Sequence, residues 1–210
     1  MTREEWQKRR IRGIGASDAS AVVGCNPYKT NLQLWEEKTG RREPEDISGK
    51  PYVKYGIEAE APLRKLFALD HPQFKVTYRP FDMVFNKDYP FIFATLDGRL
   101  LEIEKKRRGV LEIKTTEILK SMQYECWRDR IPDNYYTQVI HQLLATGFEF
   151  AALNAQLKTV YGDEVRTTTR RYFIEREEVQ EDIDYLLEKE IEFWDHVRND
   201  KCPDLMLPPI

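Results

Sequence analysis

The chain opens with helical text and changes period near its middle. Residues 2–10 read as a helix, and Gly13-Ile-Gly-Ala-Ser17 as a tight loop from which Ser17 or Asp18 can cap a helix reaching about Val23. Asn26-Pro27 stops that helix. Thr30 or Asn31 can cap the next, Leu32 to Lys38, which Gly40 closes, and Arg41 to Pro51 reads as a mobile polar loop. From Val53 to Leu69, Ile57, Ala61, Leu63, Leu66 and Phe67 recur at the helical period. Pro62 predicts a kink or restart there, because a mid-helix proline removes a backbone hydrogen bond. The period then falls to two. Phe74–Phe85, Phe91–Leu96, Arg99–Glu104 and Val110–Thr115 read as an antiparallel meander, with Lys105–Gly109 as a polar turn. Asp133 is placed to cap a helix through Thr146 that Gly147 ends, and Ala151–Val160 and Arg166–Ile174 are two more strands. The last helix, Glu177 to Asn199, carries Val179, Ile183, Leu186, Leu187, Ile191, Trp194 and Val197 at three- and four-residue spacing, a core or interface stripe. This order predicts an α+β fold with a central mixed sheet flanked by helices, as one domain over 1–210.

Composition narrows the class. A chain of 210 residues buries roughly 70% of its unfolded surface, enough for a core without staples. The three cysteines, Cys25, Cys126 and Cys202, are far apart and form no Cys-x-x-Cys, which speaks against zinc and iron–sulfur ligation and for reduced thiols inside a cell. Met1 to Arg12 lacks the apolar stretch of a signal peptide, and no apolar run approaches membrane-spanning length, so the expectation is a soluble cytoplasmic protein without a membrane partner. The net charge of −3 does not itself favour nucleic acid. Its distribution is more permissive: Lys8-Arg9-Arg10 with Arg12, Lys105 to Arg108, and Arg170-Arg171 are basic, while acid concentrates in Glu175 to Glu192. A basic groove on an acidic body is compatible with DNA, although the 105–108 run reads first as a solvated hairpin tip.

The candidate chemistry lies in the strand region. Asp97 ends an apolar run and precedes Gly98, and Glu112-Ile113-Lys114 lies within a β-rich run in which Glu112 and Lys114 share a face by the period of two. A hairpin between them brings Asp97, Glu112 and Lys114 onto one surface, which suits a divalent metal ion beside a nucleophilic water and so points to phosphodiester hydrolysis. The plainer reading is that Asp-Gly marks a turn and Glu-x-Lys an ion pair on one face.

Four stretches in order decide between them: Arg10-x-x-x-Ile14-Gly-Ala-Ser17-Asp18; Gly56-x-x-x-Glu60; Leu96-Asp97-Gly98 followed by Leu111-Glu112-Ile113-Lys114; and Tyr135-Tyr-Thr-Gln138-Val. This succession resembles the phage lambda exonuclease family, the YqaJ-like viral recombinases, within the restriction-endonuclease-like PD-(D/E)xK nucleases, and Leu32 to Gly40 is similar to the family's continuation. The resemblance implies a restriction-endonuclease-like core. It implies a metal site of Glu60, Asp97, Glu112 and the Ile113 carbonyl, holding Mg²⁺ or Mn²⁺, as two ions. It implies that Lys114 orients or deprotonates the attacking water and that Gln138 supports that lysine or the scissile phosphate. It implies a pocket for a DNA 5′-phosphate at Arg10 and Ser17. The implied activity is stepwise 5′→3′ digestion of one strand of linear double-stranded DNA, leaving a 3′ single strand for recombination. The implied assembly is a homotrimeric ring, working with a single-strand annealing protein in a bacterial host, encoded by a phage or prophage. Within the residues themselves, Glu58 competes with Glu60, Arg12 with Arg10, and His141 and Gln142 with Gln138. An internally cutting endonuclease of the same fold and a non-catalytic DNA-end-binding module are the rival readings.

Overall fold

The computed structural model describes residues 2–119, 121–128 and 130–207. Its first elements follow their capping residues. The Thr2 hydroxyl accepts from the Glu5 N–H while Glu5 accepts from the Thr2 N–H, which starts α1 (Arg3–Arg10). After the two-residue β1 (Ile14–Gly15) comes α2 (Ala19–Val22), and here the expected side-chain cap is corrected. Asp18 occupies the cap position but its Oδ2 turns back to the Gly15 N–H at 3.1 Å and to Lys38 Nζ at 2.7 Å, and the Ser17 hydroxyl accepts from Arg10. Thr30 and Gln33 form a second reciprocal cap for α3 (Asn31–Lys38). α4 (Pro51–Asp70) starts at Pro51, where a missing N–H costs nothing, and runs unbroken through Pro62, which sits on its exposed side. The predicted restart is therefore absent.

The strands depart from the expected meander. They are β2 (Phe74–Thr77), β3 (Met83–Phe85), β4 (Ile92–Thr95), β5 (Gly98–Glu102), β6 (Arg108–Glu117), β7 (Phe150–Tyr161) and β8 (Glu164–Glu175). They divide into a three-stranded sheet, β1-β4-β3, and a five-stranded sheet, β2-β5-β6-β7-β8. The span Phe74–Phe85 is two strands in two sheets, separated where Pro80 has no N–H to donate and Phe81 takes φ +56°. β4 pairs with β1 and β3 rather than with β5. β6 runs parallel to β7, linked through α5 (Ser121–Glu125) and α6 (Asp133–Thr146), so the larger sheet is mixed as expected. Asp133 is the first residue of α6 and makes no side-chain cap; Pro132 holds the cap position, and Gly147 at φ +66° ends the helix.

Alternation along β6 sorts the layers. Leu111 and Ile113 pack against Leu63 and Phe67 of α4 on one face, while Val110 joins Val139, Ile140 and Leu143 of α6 on the other. Glu112 and Lys114 therefore face α6. α7 (Gln180–Arg198) follows a short 3₁₀ turn at Arg176–Val179 and buries Ile183, Leu186, Glu190 and Phe193. The expected apolar stripe packs inward, with Ile183 and Leu186 buried and Val179, Leu187, Trp194 and Val197 half-buried against the core, and Phe193 and the acid Glu190 join its buried face. Among the described residues no helix is long and apolar enough to cross a membrane.

Candidate functional site

The last residue pair between β5 and β6 is Gly98 with Leu111, so β6 continues past the start of β5 with an open edge. Asp97, one residue ahead of β5, closes that edge: its Oδ2 accepts from the Ile113 N–H at 2.9 Å. The N–H and C=O of one strand residue point the same way, so the Ile113 carbonyl faces the same side. From the α6 face, Gln138 Nε2 donates to Glu112 Oε1 at 2.6 Å and Gln142 Nε2 donates to Glu112 Oε2, while Lys114 Nζ lies 2.6 Å from Glu112 Oε1. Lys114 also sits over the Tyr135 ring, 5.5 Å from its centroid. Glu60 enters from α4, paired with Arg64 one turn on, and Arg64 Nε donates to the Asp97 carbonyl at 2.6 Å. Gly56 lets α4 come this close: a Cβ there would stand 3.2 Å from Thr115 Oγ1. Glu60, Asp97, Glu112, Ile113, Lys114 and Gln138 thus line one cavity of about 310 Å³. Glu58 is exposed and outside it.

Electrostatics marks this cavity as short of positive charge. Burial pushes the Asp97 carboxyl well above its usual range, and the nearby Glu112 charge adds to that. Glu60 is raised by burial despite Arg64. Burial works against the Lys114 ammonium, but Glu112 and Asp97 outweigh it and raise its pKa, so the lysine is held charged. Among the described residues no three acid, imidazole or thiol side chains are gathered as a metal-holding group. Glu60 is turned to Arg64, and Glu112 to two amides and a lysine. The donors are nonetheless the hard oxygens that Mg²⁺ takes, and a divalent cation would relieve their mutual repulsion.

Arg10 and Ser17 also meet, Arg10 Nη2 donating to Ser17 Oγ at 2.8 Å, while Arg12 is exposed and stands outside this pair. Arg10 stacks over Trp6 at 4.8 Å, and Trp6 Nε1 donates to Thr95 Oγ1 at 2.9 Å, two residues before Asp97. Behind this corner Asp18 binds Lys38; burial opposes its charge, but Lys38 and Arg10 prevail and hold the carboxyl down at about 2. His141 belongs to neither group. It is fully buried, with Nδ1 2.5 Å from Glu190 Oε1 and Nε2 2.8 Å from the Phe93 carbonyl. Sequence reasoning missed Arg64, whose only local signal is its i+4 spacing from Glu60, and took Gln138 and Gln142 as alternatives where both hold Glu112.

Over residues 5–149 the chain matches the YqaJ-like viral recombinase domain. It is 34% identical over 211 residues to the uncharacterized protein YqaJ of Bacillus subtilis (strain 168), an alignment covering 98% of this chain and 60% of that protein. The chain therefore spans about three-fifths of that relative's length. Among solved structures, the alkaline exonuclease LHK-Exo of Laribacter hongkongensis matches with TM-score 0.60 at 17% identity, over 94% of this chain and 97% of that one. A phage related exonuclease from Haemophilus somnus 129PT matches with TM-score 0.54 at 14% identity, over 90% and 96%. At these identities the likeness is one of fold.

Proposed function

The chain belongs to the YqaJ-like viral recombinase family, and on that premise we propose that it is a Mg²⁺-dependent nuclease digesting one strand of linear duplex DNA from 5′ to 3′. The product is a 3′ single strand for phage-type recombination. The observation that carries this reading is the surplus of acid in one cavity, where Glu60, Asp97 and Glu112 meet around Lys114. The fold shared with two exonucleases supports it.

Asp97, Glu112 and the Ile113 carbonyl, with Glu60, would hold Mg²⁺ (or Mn²⁺, as one or two ions), which neutralises phosphate charge and lowers the pKa of a bound water. Lys114, kept charged by its carboxylate neighbours, positions the attacking water against the scissile phosphate; its raised pKa favours that role over proton abstraction. Gln138 and Gln142 fix the rotamer of Glu112. Arg10 and Ser17 receive the 5′-phosphate through a guanidinium and a hydroxyl already in contact. A homotrimeric ring around DNA, a single-strand annealing partner and action in the bacterial cytoplasm complete the proposal.

The test is a gel assay with Mg²⁺ on linear 5′-phosphorylated, linear 5′-hydroxyl and covalently closed circular DNA, with Lys114→Ala and Glu112→Ala in parallel. The expected result is fastest loss of the phosphorylated linear DNA, an intact circle and inert variants. Cutting of the circle would make the protein an internally cutting endonuclease, and wild-type rates from both purified variants would overturn the site.

A further inference from the structure

Beyond the catalytic cavity, β6 carries on through Thr115, Thr116 and Glu117 beneath the N-terminal turns of α4. There a second cleft of about 100 Å³ is bounded by Tyr52 and Tyr55 of α4, by those three residues and by Lys158 of β7. Thr115 lines both hollows, so they are continuous along the strand. Thr116 stands three residues beyond Ile113, about 10 Å at the rise of a β-strand.

The geometry points to a nucleobase subsite: this cleft takes one unstacked base of a single-stranded DNA segment that runs on from the catalytic cavity. The inference rests on the DNA-processing reading above and deepens it. Tyr52 and Tyr55 lie three residues apart on one helix face and are 59% and 38% exposed, a large aromatic outlay at a surface. Tyr55 is anchored, its hydroxyl donating to Gln156 Oε1 at 2.7 Å, which makes its ring a rigid platform. Lys158 Nζ lies 5.1 Å from the Tyr55 centroid, an exposed cation–π contact weak enough for a stacked base to replace. Glu117 and Lys158 are partners in the β6–β7 register and bring one charge of each sign to the cleft. A neutral cleft walled by aromatic rings suits an uncharged planar base, while the phosphates stay with Lys114 in the larger cavity. Base stacking on aromatic side chains is how single strands are held without sequence preference.

The test measures binding of a 3′-labelled oligothymidylate by fluorescence anisotropy in EDTA, where no hydrolysis occurs. Tyr55→Ala is expected to weaken binding roughly tenfold, while Tyr55→Phe, which keeps the ring, weakens it less than about threefold. The Tyr55→Ala loss factor should be the same at low and high salt, because stacking releases no counterions. It should vanish on an abasic strand of equal length. Binding of oligothymidylate by Tyr55→Ala within about twofold of wild type, or an equal loss on the abasic strand, would overturn the subsite. If the wild type cleaves DNA but Tyr55→Ala gives either of those results, the subsite fails and the nuclease reading stands. Tyr55-dependent strand binding by a protein that cleaves nothing would do the reverse.

Discussion

Two acid–base clusters share helix α6, and they are built on opposite principles. Toward the sheet edge, Gln138 and Gln142 hold Glu112 beside Lys114, Asp97 and Glu60 in an open cavity where acid outweighs base and burial has pushed carboxyl pKa values up. On the neighbouring face, His141 meets Glu190 of α7 and the Phe93 carbonyl with both side chains at 0% exposure. The second cluster is sealed and sets one imidazole against one carboxyl group. The first is hydrogen-bonded just as closely yet electrostatically unsatisfied. Hydrogen bonding alone therefore does not separate a candidate site from a structural pair; charge imbalance together with access marks the candidate.

The contrast breaks if the two clusters respond alike to mutation. Asp97→Asn should reduce DNA hydrolysis by about 10³-fold or more, on the scale of losing one essential electrostatic group. It should leave the metal-free protein's Tm at or above that of wild type, because the substitution removes a charge that burial and Glu112 already disfavour while keeping an acceptor for the Ile113 N–H. Glu190→Ala should do the opposite. Leaving His141 buried without its partner costs about 3–5 kcal/mol, read as a lower urea midpoint, whereas His141→Leu with Glu190→Met should cost less than that single change. A drop in Tm for Asp97→Asn matching that of Glu190→Ala would show that the open cluster is structural too.

The centre of the open cluster was legible in the sequence because Asp97, Glu112 and Lys114 sit on two short stretches of one hairpin, and the period of two alone puts Glu112 and Lys114 on one face; Glu60 and Gln138, on α4 and α6, came only with the resemblance. The sealed pair was not. Glu190 lies next to Ile191 in a helix whose apolar spacing reads as continuous without it, and what draws Glu190 inward is a histidine 49 residues away. Arg64 was hidden for a similar reason, since its second contact is with a backbone carbonyl on another element. In the fold, the Thr30 cap, which Asn31 rivalled in the sequence, and the Gly147 stop were readable because their signals are local. The partner of β4 was not. Leu96 and Asp97 alone separate it from β5, which resembles a hairpin connection, yet the chain crosses there from one sheet to the other. Local pattern specifies that a segment is a strand, and long-range packing selects its neighbour.

The comparison is sharpened by the two α6 amides that hold Glu112. Gln142 is fully buried and Gln138 half-buried, and each gives one amide hydrogen bond to a different oxygen of Glu112. Gln142→Leu should lower kcat by about 10–100-fold, the usual cost of losing a group that orients a ligand. Because the role is orientation, its deficit should shrink at high Mg²⁺, and activity measured across a Mg²⁺ titration checks this. A loss independent of Mg²⁺ would mean that Gln142 supports the fold rather than the carboxylate.

The smallest expected effect concerns pH and belongs to the sealed pair. Both ring nitrogens of His141 face oxygen atoms, of Glu190 and of the Phe93 carbonyl, an arrangement that favours the doubly protonated ring. Burial opposes that charge, but Glu190 outweighs it and the imidazole pKa is raised. Burial likewise pushes the Glu190 carboxyl up, so each member binds its proton more tightly in the folded chain than in the unfolded one. For His141 the stabilisation is complete below the unfolded value of about 6.5 and is lost as pH rises through the folded value. In that window His141 alone contributes a decline of about 1.4 kcal/mol per pH unit, and the raised Glu190 acts with the same sign from its own unfolded value upward. Urea midpoints followed upward from about pH 6.5 should therefore fall more steeply for wild type than for the His141→Leu, Glu190→Met variant, which has no proton to lose there. Superimposable pH curves for the two proteins would mean that the sealed histidine is neutral and that the pair differs from the open cavity by its burial and not by a matched charge.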